Sequence, residues 1–231
     1  MKKFLLSAAA LFIAALSVSA DDNWDWPLYS RYEAKNAELM KNAPVDLRRV
    51  VFFGNSITEG WPSKRPEFFE NNDFVGRGIS GQTTYQFVLR FIEDVIKLKP
   101  ALVVINAATN DVAENTCPYN EDRTFSNIVA MVQMAQANGI KVILTSTLPA
   151  AKFPWAPEIK NSSDKIASLN ARIKNYAETH DIPYVDYYSS LVTGEDRALN
   201  PAYSHDGVHP NADGYVIMEN LILPVIRQYI P

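Results

Sequence analysis

The chain has 231 residues, of which 22 are basic and 26 acidic, for a formal charge of −4. With no basic cluster beyond its first residues, that balance argues against nucleic acid as a partner. The single cysteine, Cys117, excludes an intramolecular disulfide, so stability in an oxidising compartment must come from packing. Its setting, Asn115-Thr116-Cys117-Pro118-Tyr119, reads as a loop thiol and not as a nucleophile.

Residues 1–20 have the order of a secretory signal peptide. Lys2 and Lys3 come first, Phe4 to Val18 is nearly all apolar and small, and Val18-Ser19-Ala20 offers small residues at a cleavage site. The apolar run is short for a membrane span of about 20 residues. The expected product is a periplasmic or secreted protein with no stable membrane insertion, made of one domain over residues 21–231. An aromatic arm, Trp24-Asp25-Trp26-Pro27, leads into a predicted helix from about Tyr29 to Lys41.

Val50-Val51-Phe52-Phe53, ended by Gly54, reads as a buried strand. Phe74 to Ile79 is a weaker second strand. Val88, Phe91, Ile92, Val95 and Leu98 then fall on one helical face that Pro100 closes. Leu102-Val103-Val104-Ile105 is a third strand. Phe125, Ile128, Val129 and Val132 form a second helical stripe, stopped at Asn138-Gly139. Val142-Ile143-Leu144 is a fourth strand, Ile166, Leu169, Ile173 and Tyr176 a third stripe, and Tyr184-Val185 a fifth strand. Tyr215, Met218, Ile222, Val225, Ile226 and Tyr229 describe a closing helix. Strands that are apolar throughout need both faces covered. The alternation therefore predicts an α/β fold: a three-layer α/β/α sandwich around a five-stranded, mainly parallel sheet. Ligands of such sheets bind beyond the carboxyl ends of the strands.

Candidate chemistry stands at those ends. After the first strand, Ser56 sits in Gly54-Asn55-Ser56-Ile57-Thr58, either as a helix N-cap or as a nucleophile beside helix N–H groups. After the second, Gly81 lies in a turn that either needs positive φ or brings its N–H to a ligand. After the third, Asn110 follows Thr109 as an Asx-turn residue or an uncharged donor to an oxyanion. Near the C-terminus, Asp206-Gly207-Val208-His209 puts a carboxylate three residues before an imidazole, a pairing that fixes a tautomer. The same stretch with His205 admits a metal site, but His180 looks like a surface residue and no further ligand stands at a suitable spacing.

In this order the segments resemble the four marker blocks of the SGNH hydrolases, the GDSL esterase and lipase family. Gly54-Asn55-Ser56-Ile57-Thr58 resembles the first block, Ser80-Gly81 the second, Thr109-Asn110-Asp111 the third and Asp206-Gly207-Val208-His209-Pro210 the last. The resemblance implies a flavodoxin-like sandwich with no metal or organic cofactor. It implies Ser56 as nucleophile, His209 as general base and Asp206 as its orienting partner. The Ser56 and Gly81 N–H groups and the Asn110 amide would form the oxyanion hole. Two positions depart from the pattern: Asn55 stands where the family usually has aspartate, and Ala108 where it usually has glycine.

The expected activity is hydrolysis of short-chain esters, acetyl above all, on a small molecule or glycan. Trp61, Trp155 and Tyr203 are expected as rim aromatics that contact substrate. A lipase for longer acyl chains and a non-catalytic carbohydrate-binding module are the alternatives.

Overall fold

The computed structural model describes residues 25–42 and 48–230. The predicted leader, residues 1–20, lies outside the described residues. The Asp25 carboxylate accepts hydrogen bonds from the Tyr29 N–H (2.6 Å) and the Ser30 hydroxyl (2.6 Å) and so opens helix α1, Ser30–Asn42. The chain continues through β1 (Val50–Gly54), α2 (Ser56–Lys64), α3 (Pro66–Glu70), β2 (Val75–Gly78) and α4 (Thr84–Asp94). Then come β3 (Leu102–Ile105), α5 (Thr109–Val112), α6 (Glu121–Ala137), β4 (Lys141–Thr145) and α7 (Ser162–Thr179). The last elements are β5 (Tyr184–Val185), α8 (Tyr187–Leu191), the antiparallel pair β6 (Val192–Thr193) and β7 (Ala198–Leu199), and α9 (Ala212–Ile226).

Five strands form one parallel sheet in the order β2-β1-β3-β4-β5, the predicted three-layer architecture. Period-two alternation divides each apolar strand between two cores. Val51, Phe53, Val103, Ile105, Val142 and Leu144 face α4, α6 and α7. Val50, Phe52, Leu102, Val104, Ile143 and Val185 face α2, α3, α8 and α9. On that second side Phe52 meets the rings of Trp61, Phe68, Phe69 and Phe74 at centroid distances of 5.2 to 5.9 Å. A third cluster, including Val112, Phe153, Ile166 and Val208, packs the long segment after β4 against the residue that precedes His209.

One predicted stripe is corrected. Ile92 is 49 % exposed and Val88 half-buried, whereas Phe87, Arg90 and Phe91 are buried. The buried face of α4 carries an ion pair, Arg90 to Asp94 at 2.9 Å, which rotates the apolar pattern. The helix also stops at Asp94, and a separate 3₁₀ turn, Ile96–Leu98, carries the chain on towards Pro100. The closing helix likewise ends at Ile226, short of Tyr229.

The chain runs from β1 to β2 on one side and then returns to β3 on the other, so the crevice lies between the carboxyl ends of β1 and β3. The turns after β1, β2 and β3 carry Ser56, Gly81 and Asn110 to that end.

Candidate active site

The Ser56 turn is tightly packed. Asn55 caps α2, its Oδ1 accepting from the Ile57 N–H at 3.0 Å, so α2 begins at Ser56 with its first N–H groups towards the turn. Asparagine thus keeps the acceptor that an aspartate would supply here. Its Nδ2, however, is buried with no hydrogen-bond partner among the described residues. Gly78 lets β2 approach this turn: a Cβ there would lie 2.1 Å from the Glu59 nitrogen and 2.5 Å from the Asn55 carbonyl oxygen.

Beyond β2, Gly81 has φ +78°, and a Cβ on it would meet nothing within 4 Å, so glycine is favoured there by conformation and not by space. Glu59 fixes the approach to this residue by accepting from the Ser80 N–H (2.8 Å) and from the Ser80 hydroxyl. Burial opposes the Glu59 charge, but Ser80 and Arg31 together hold its carboxyl below the usual value.

Beyond β3, Ala108 takes φ +82° in the left-handed region, where the family usually has glycine. Asn110 follows, 2 % exposed, its Nδ2 donating to the Gln82 carbonyl at 2.9 Å. An amide nitrogen carries two hydrogens, so one orients the side chain and the second remains for another acceptor. Gln82 is held in turn by Arg90, whose Nε donates to Gln82 Oε1 at 2.6 Å while its Nη2 donates to the Gly54 carbonyl at 2.8 Å. Next to Asn110, Asp111 is buried and accepts from the Thr84 N–H and hydroxyl and from the Thr124 hydroxyl. Burial pushes its carboxyl up to about 6, and the Thr84 and Thr124 donors only partly offset this.

The histidine comes from the turn before α9. Asp206 Oδ1 accepts from the Val208 N–H (2.9 Å) and the His209 N–H (2.8 Å), which leaves Oδ2 against His209 Nδ1 at 2.6 Å. Burial opposes the Asp206 charge, but the His209 backbone N–H, its imidazole and the Val208 N–H outweigh it and hold the carboxyl at about 2. A carboxylate only accepts, so Nδ1 carries the proton and Nε2 is the acceptor. That nitrogen lies 2.8 Å from Ser56 Oγ. A serine, an imidazole and a carboxylate, 153 residues apart at the first link, are thereby joined in one hydrogen-bonded chain. Such a chain can withdraw a proton from Ser56 as its oxygen attacks a carbonyl.

A sequence profile of the GDSL-like lipase/acylhydrolase family matches residues 52–217. The chain belongs to this family. A GDSL-like lipase structure from Bacteroides thetaiotaomicron is 60 % identical, with a TM-score of 0.86 over 88 % of this chain and 98 % of that one. A candidate acylhydrolase from Bacteroides fragilis is 63 % identical, with a TM-score of 0.85 over the same shares. Among curated relatives, an acetylxylan esterase from Xylanibacter ruminicola is 22 % identical over 227 residues, 81 % of this chain and 45 % of that protein. The chain spans less than half the length of the curated relatives it matches.

Of the aromatics expected at the rim of this GDSL-type site, only Trp155 stands beside the triad. It is 44 % exposed, and its ring lies 6.0 Å from that of His209. Trp61 is not a rim residue: it is 2 % exposed, stacked between Phe68 and Tyr215, with its indole N–H on Glu219 at 3.1 Å. It lies on the inward face of α2, so Trp61 completes the core under α9. Tyr203 is half-buried and packs on the same core, its carbonyl accepting from the Asn211 N–H at 2.8 Å. His205 is exposed and His180 caps the end of α7. Among the described residues no three His, Cys, Asp or Glu side chains are grouped as metal ligands. Gln82, Arg90 and Asn115 escape a reading of the sequence, because a buried arginine inside a helical stripe and a polar residue in a loop look like surface.

Proposed function

We propose that the chain is an exported serine esterase, one domain over residues 21–231, that removes short acyl groups, acetyl above all, from carbohydrate. The observation that carries the catalytic part is the hydrogen-bonded chain from Ser56 through His209 to Asp206. Ser56 Oγ attacks the ester carbonyl as its proton passes to His209 Nε2. The carbonyl oxygen takes the negative charge and rests against the Ser56 and Gly81 N–H groups and the Asn110 amide. The alcohol oxygen departs with the proton from His209, leaving an acyl-Ser56 ester. Water then gives a proton to His209 and attacks that ester, and the acid leaves as Ser56 regains its proton. Asp206 stays ionised throughout and steadies the imidazolium.

Export rests on the leader-like order of residues 1–20. No helix among the described residues is long and apolar enough to cross a membrane. The carbohydrate reading draws support from the acetylxylan esterase relative and from the exposed Trp155. The acetyl reading draws support from the segment between β4 and α7, which carries no helix that could act as a lipid-facing lid.

The test is kcat/KM on nitrophenyl esters from acetyl to decanoyl, below their micelle concentrations. Each methylene buried in an acyl pocket is worth about 0.8 kcal/mol, so a lipase improves steadily with chain length. The expected result is a maximum at acetyl and a decline beyond it. A maximum at octanoyl or longer replaces the acetyl reading with that of a lipase.

A further inference from the structure

Five large apolar side chains are exposed among the described residues. Trp26 and Leu28 belong to the arm before α1, Leu89 and Ile92 to the outer face of α4, and Trp155 stands apart beside His209. Trp155 is nevertheless held firmly. Its ring leans on buried Phe153 at 5.4 Å, and its indole N–H donates to Asn115 Oδ1 at 2.9 Å. The other end of the Asn115 side chain, Nδ2, donates to the Gly81 carbonyl at 3.1 Å, and its backbone N–H donates to the Asn110 carbonyl at 3.0 Å. The orientation of the Asn115 amide is unambiguous, because an indole nitrogen can only donate and a carbonyl can only accept. Glu114, in the left-handed region at φ 60°, turns the chain so that Asn115 reaches these partners, and Lys165 pairs with Glu114 at 3.2 Å. One exposed asparagine thus joins three walls of the cleft: the Gly81 turn, the Asn110 turn and the tryptophan next to the histidine.

The direction of the reaction says which part of a substrate meets Trp155. His209 Nε2 returns its proton to the departing alcohol, so the alcohol leaves past the imidazole, whose ring lies 6.0 Å from that of Trp155. An indole face is electron-rich and attracts the weakly positive C–H groups of a sugar ring while leaving its hydroxyls in water. We propose that Trp155 is the floor of the alcohol subsite, taking a pyranose ring, and that Asn115 is a positioning residue that ties this floor to the oxyanion turn. A bound sugar that presses on Trp155 then steadies, through Asn115, the Gly81 turn that receives the carbonyl oxygen. This inference rests on the esterase reading and adds to it the specificity for the alcohol.

The experiment compares two acetate esters, a monoacetylated methyl xyloside and ethyl acetate, in the intact protein and four variants. The readout is the ratio of kcat/KM for the glycoside to that for ethyl acetate. Trp155→Ala should lower this ratio at least about tenfold, mainly through KM, the order expected for losing one aromatic contact. Trp155→Phe keeps a ring without the N–H and should retain most of the ratio. Asn115→Asp keeps the acceptor for Trp155 but loses the donor to Gly81, so kcat should fall on both esters with the ratio preserved. Asn115→Ala loses both ties and should lower kcat and the ratio together. An unchanged ratio in Trp155→Ala, with a melting temperature near that of the intact protein, overturns the proposal. So does an Asn115→Asp variant with unaltered kcat. Tryptophan fluorescence titrated with the unacetylated methyl xyloside reads the subsite without turnover: a response that Trp155→Phe abolishes supports the proposal, and no response in the intact protein overturns it. A protein that binds the xyloside this way yet hydrolyses neither ester refutes the esterase reading while the sugar floor stands.

Discussion

The two halves of the triad are held by different physics. Ser56 sits in a turn sealed by packing: Asn55 is 1 % and Thr58 3 % exposed, and β2 comes so close that only glycine fits at 78. His209 sits in a surface turn anchored by buried Val208 and Ser204, and polar groups organise it: the Asp206 carboxylate accepts two backbone N–H groups and the imidazole, and the Ser204 hydroxyl oxygen accepts from the Gly207 N–H. The aspartates on the two sides differ accordingly. Asp206 is held at about 2 by its donors, whereas burial raises Asp111, beside Asn110, to about 6. One side of the site is therefore sensitive to volume and the other to charge.

The largest effects test whether the halves act as one unit. Ser56→Ala and His209→Ala should each lower kcat by about 10⁴–10⁶, and the double variant should be hardly worse, since both groups serve one proton transfer. A double variant whose loss is the product of the two single losses breaks the unit. Next, Asp206→Asn keeps the shape of the turn but loses the charge that fixes the tautomer, and kcat should fall by about 10²–10⁴. The linkage sign follows from a carboxyl held below its ordinary value. Its contribution to stability is present above about pH 4, where the unfolded group is already ionised, and is lost as the pH falls through about 2. Melting temperatures of the two proteins, separated at pH 6, should converge at pH 2. On the packed side, Asn110→Ala should lower kcat by about 10²–10³ with little change in KM, because its hydrogen bond strengthens as charge develops on the oxyanion. A silent Asn110→Ala removes it from the oxyanion hole.

Two stability measurements sharpen the contrast further. Asp111 has the opposite linkage: its carboxyl is raised, so the stability it contributes is complete below about pH 4 and lost as the pH rises through about 6. That loss is at most about 3 kcal/mol, because each tenfold change in a buried carboxyl's acidity is worth about 1.4 kcal/mol. Asp111→Asn should flatten the stability profile between pH 4 and 7, read from denaturant midpoints. The smallest effect is expected at Ala108, whose left-handed φ of 82° suits glycine. Ala108→Gly should stabilise by up to about 1 kcal/mol, the relief of that strain partly offset by the looser unfolded chain.

The sheet was legible because its central strands are short apolar runs, as in Val50 to Gly54 and Leu102 to Ile105, while β2, Val75 to Gly78, is the weaker signal. Ser56, Gly81, Asn110, Asp206 and His209 were legible as candidates because each directly follows a strand or lies within three residues of a partner. The errors arise where tertiary packing overrides local pattern. Ile92 has helical spacing but lies outside, because Arg90 is neutralised by Asp94 and hydrogen-bonded by Gln82 and so can take the inner face. Trp61 follows a catalytic block yet points into the core, since its position on α2 faces α9. Asn115 meets Trp155 only when the segment after β4 folds back, and nothing local to residue 115 announces that contact.

The separation of 153 residues between Ser56 and His209 also bears on when the chain becomes an enzyme. The turns that carry Ser56, Gly81 and Asn110 follow β1, β2 and β3 in the first half of the fold, and those strands pair with one another. His209 arrives only when α9 docks against the aromatic core behind β1, with Tyr215 donating to the Ile57 carbonyl at 2.6 Å. Contacts of such long sequence separation form late and slowly. On the proposed reading, a nascent or C-terminally clipped chain holds a shaped Ser56 turn without His209, and the onset of turnover during refolding times the closing of the last helix.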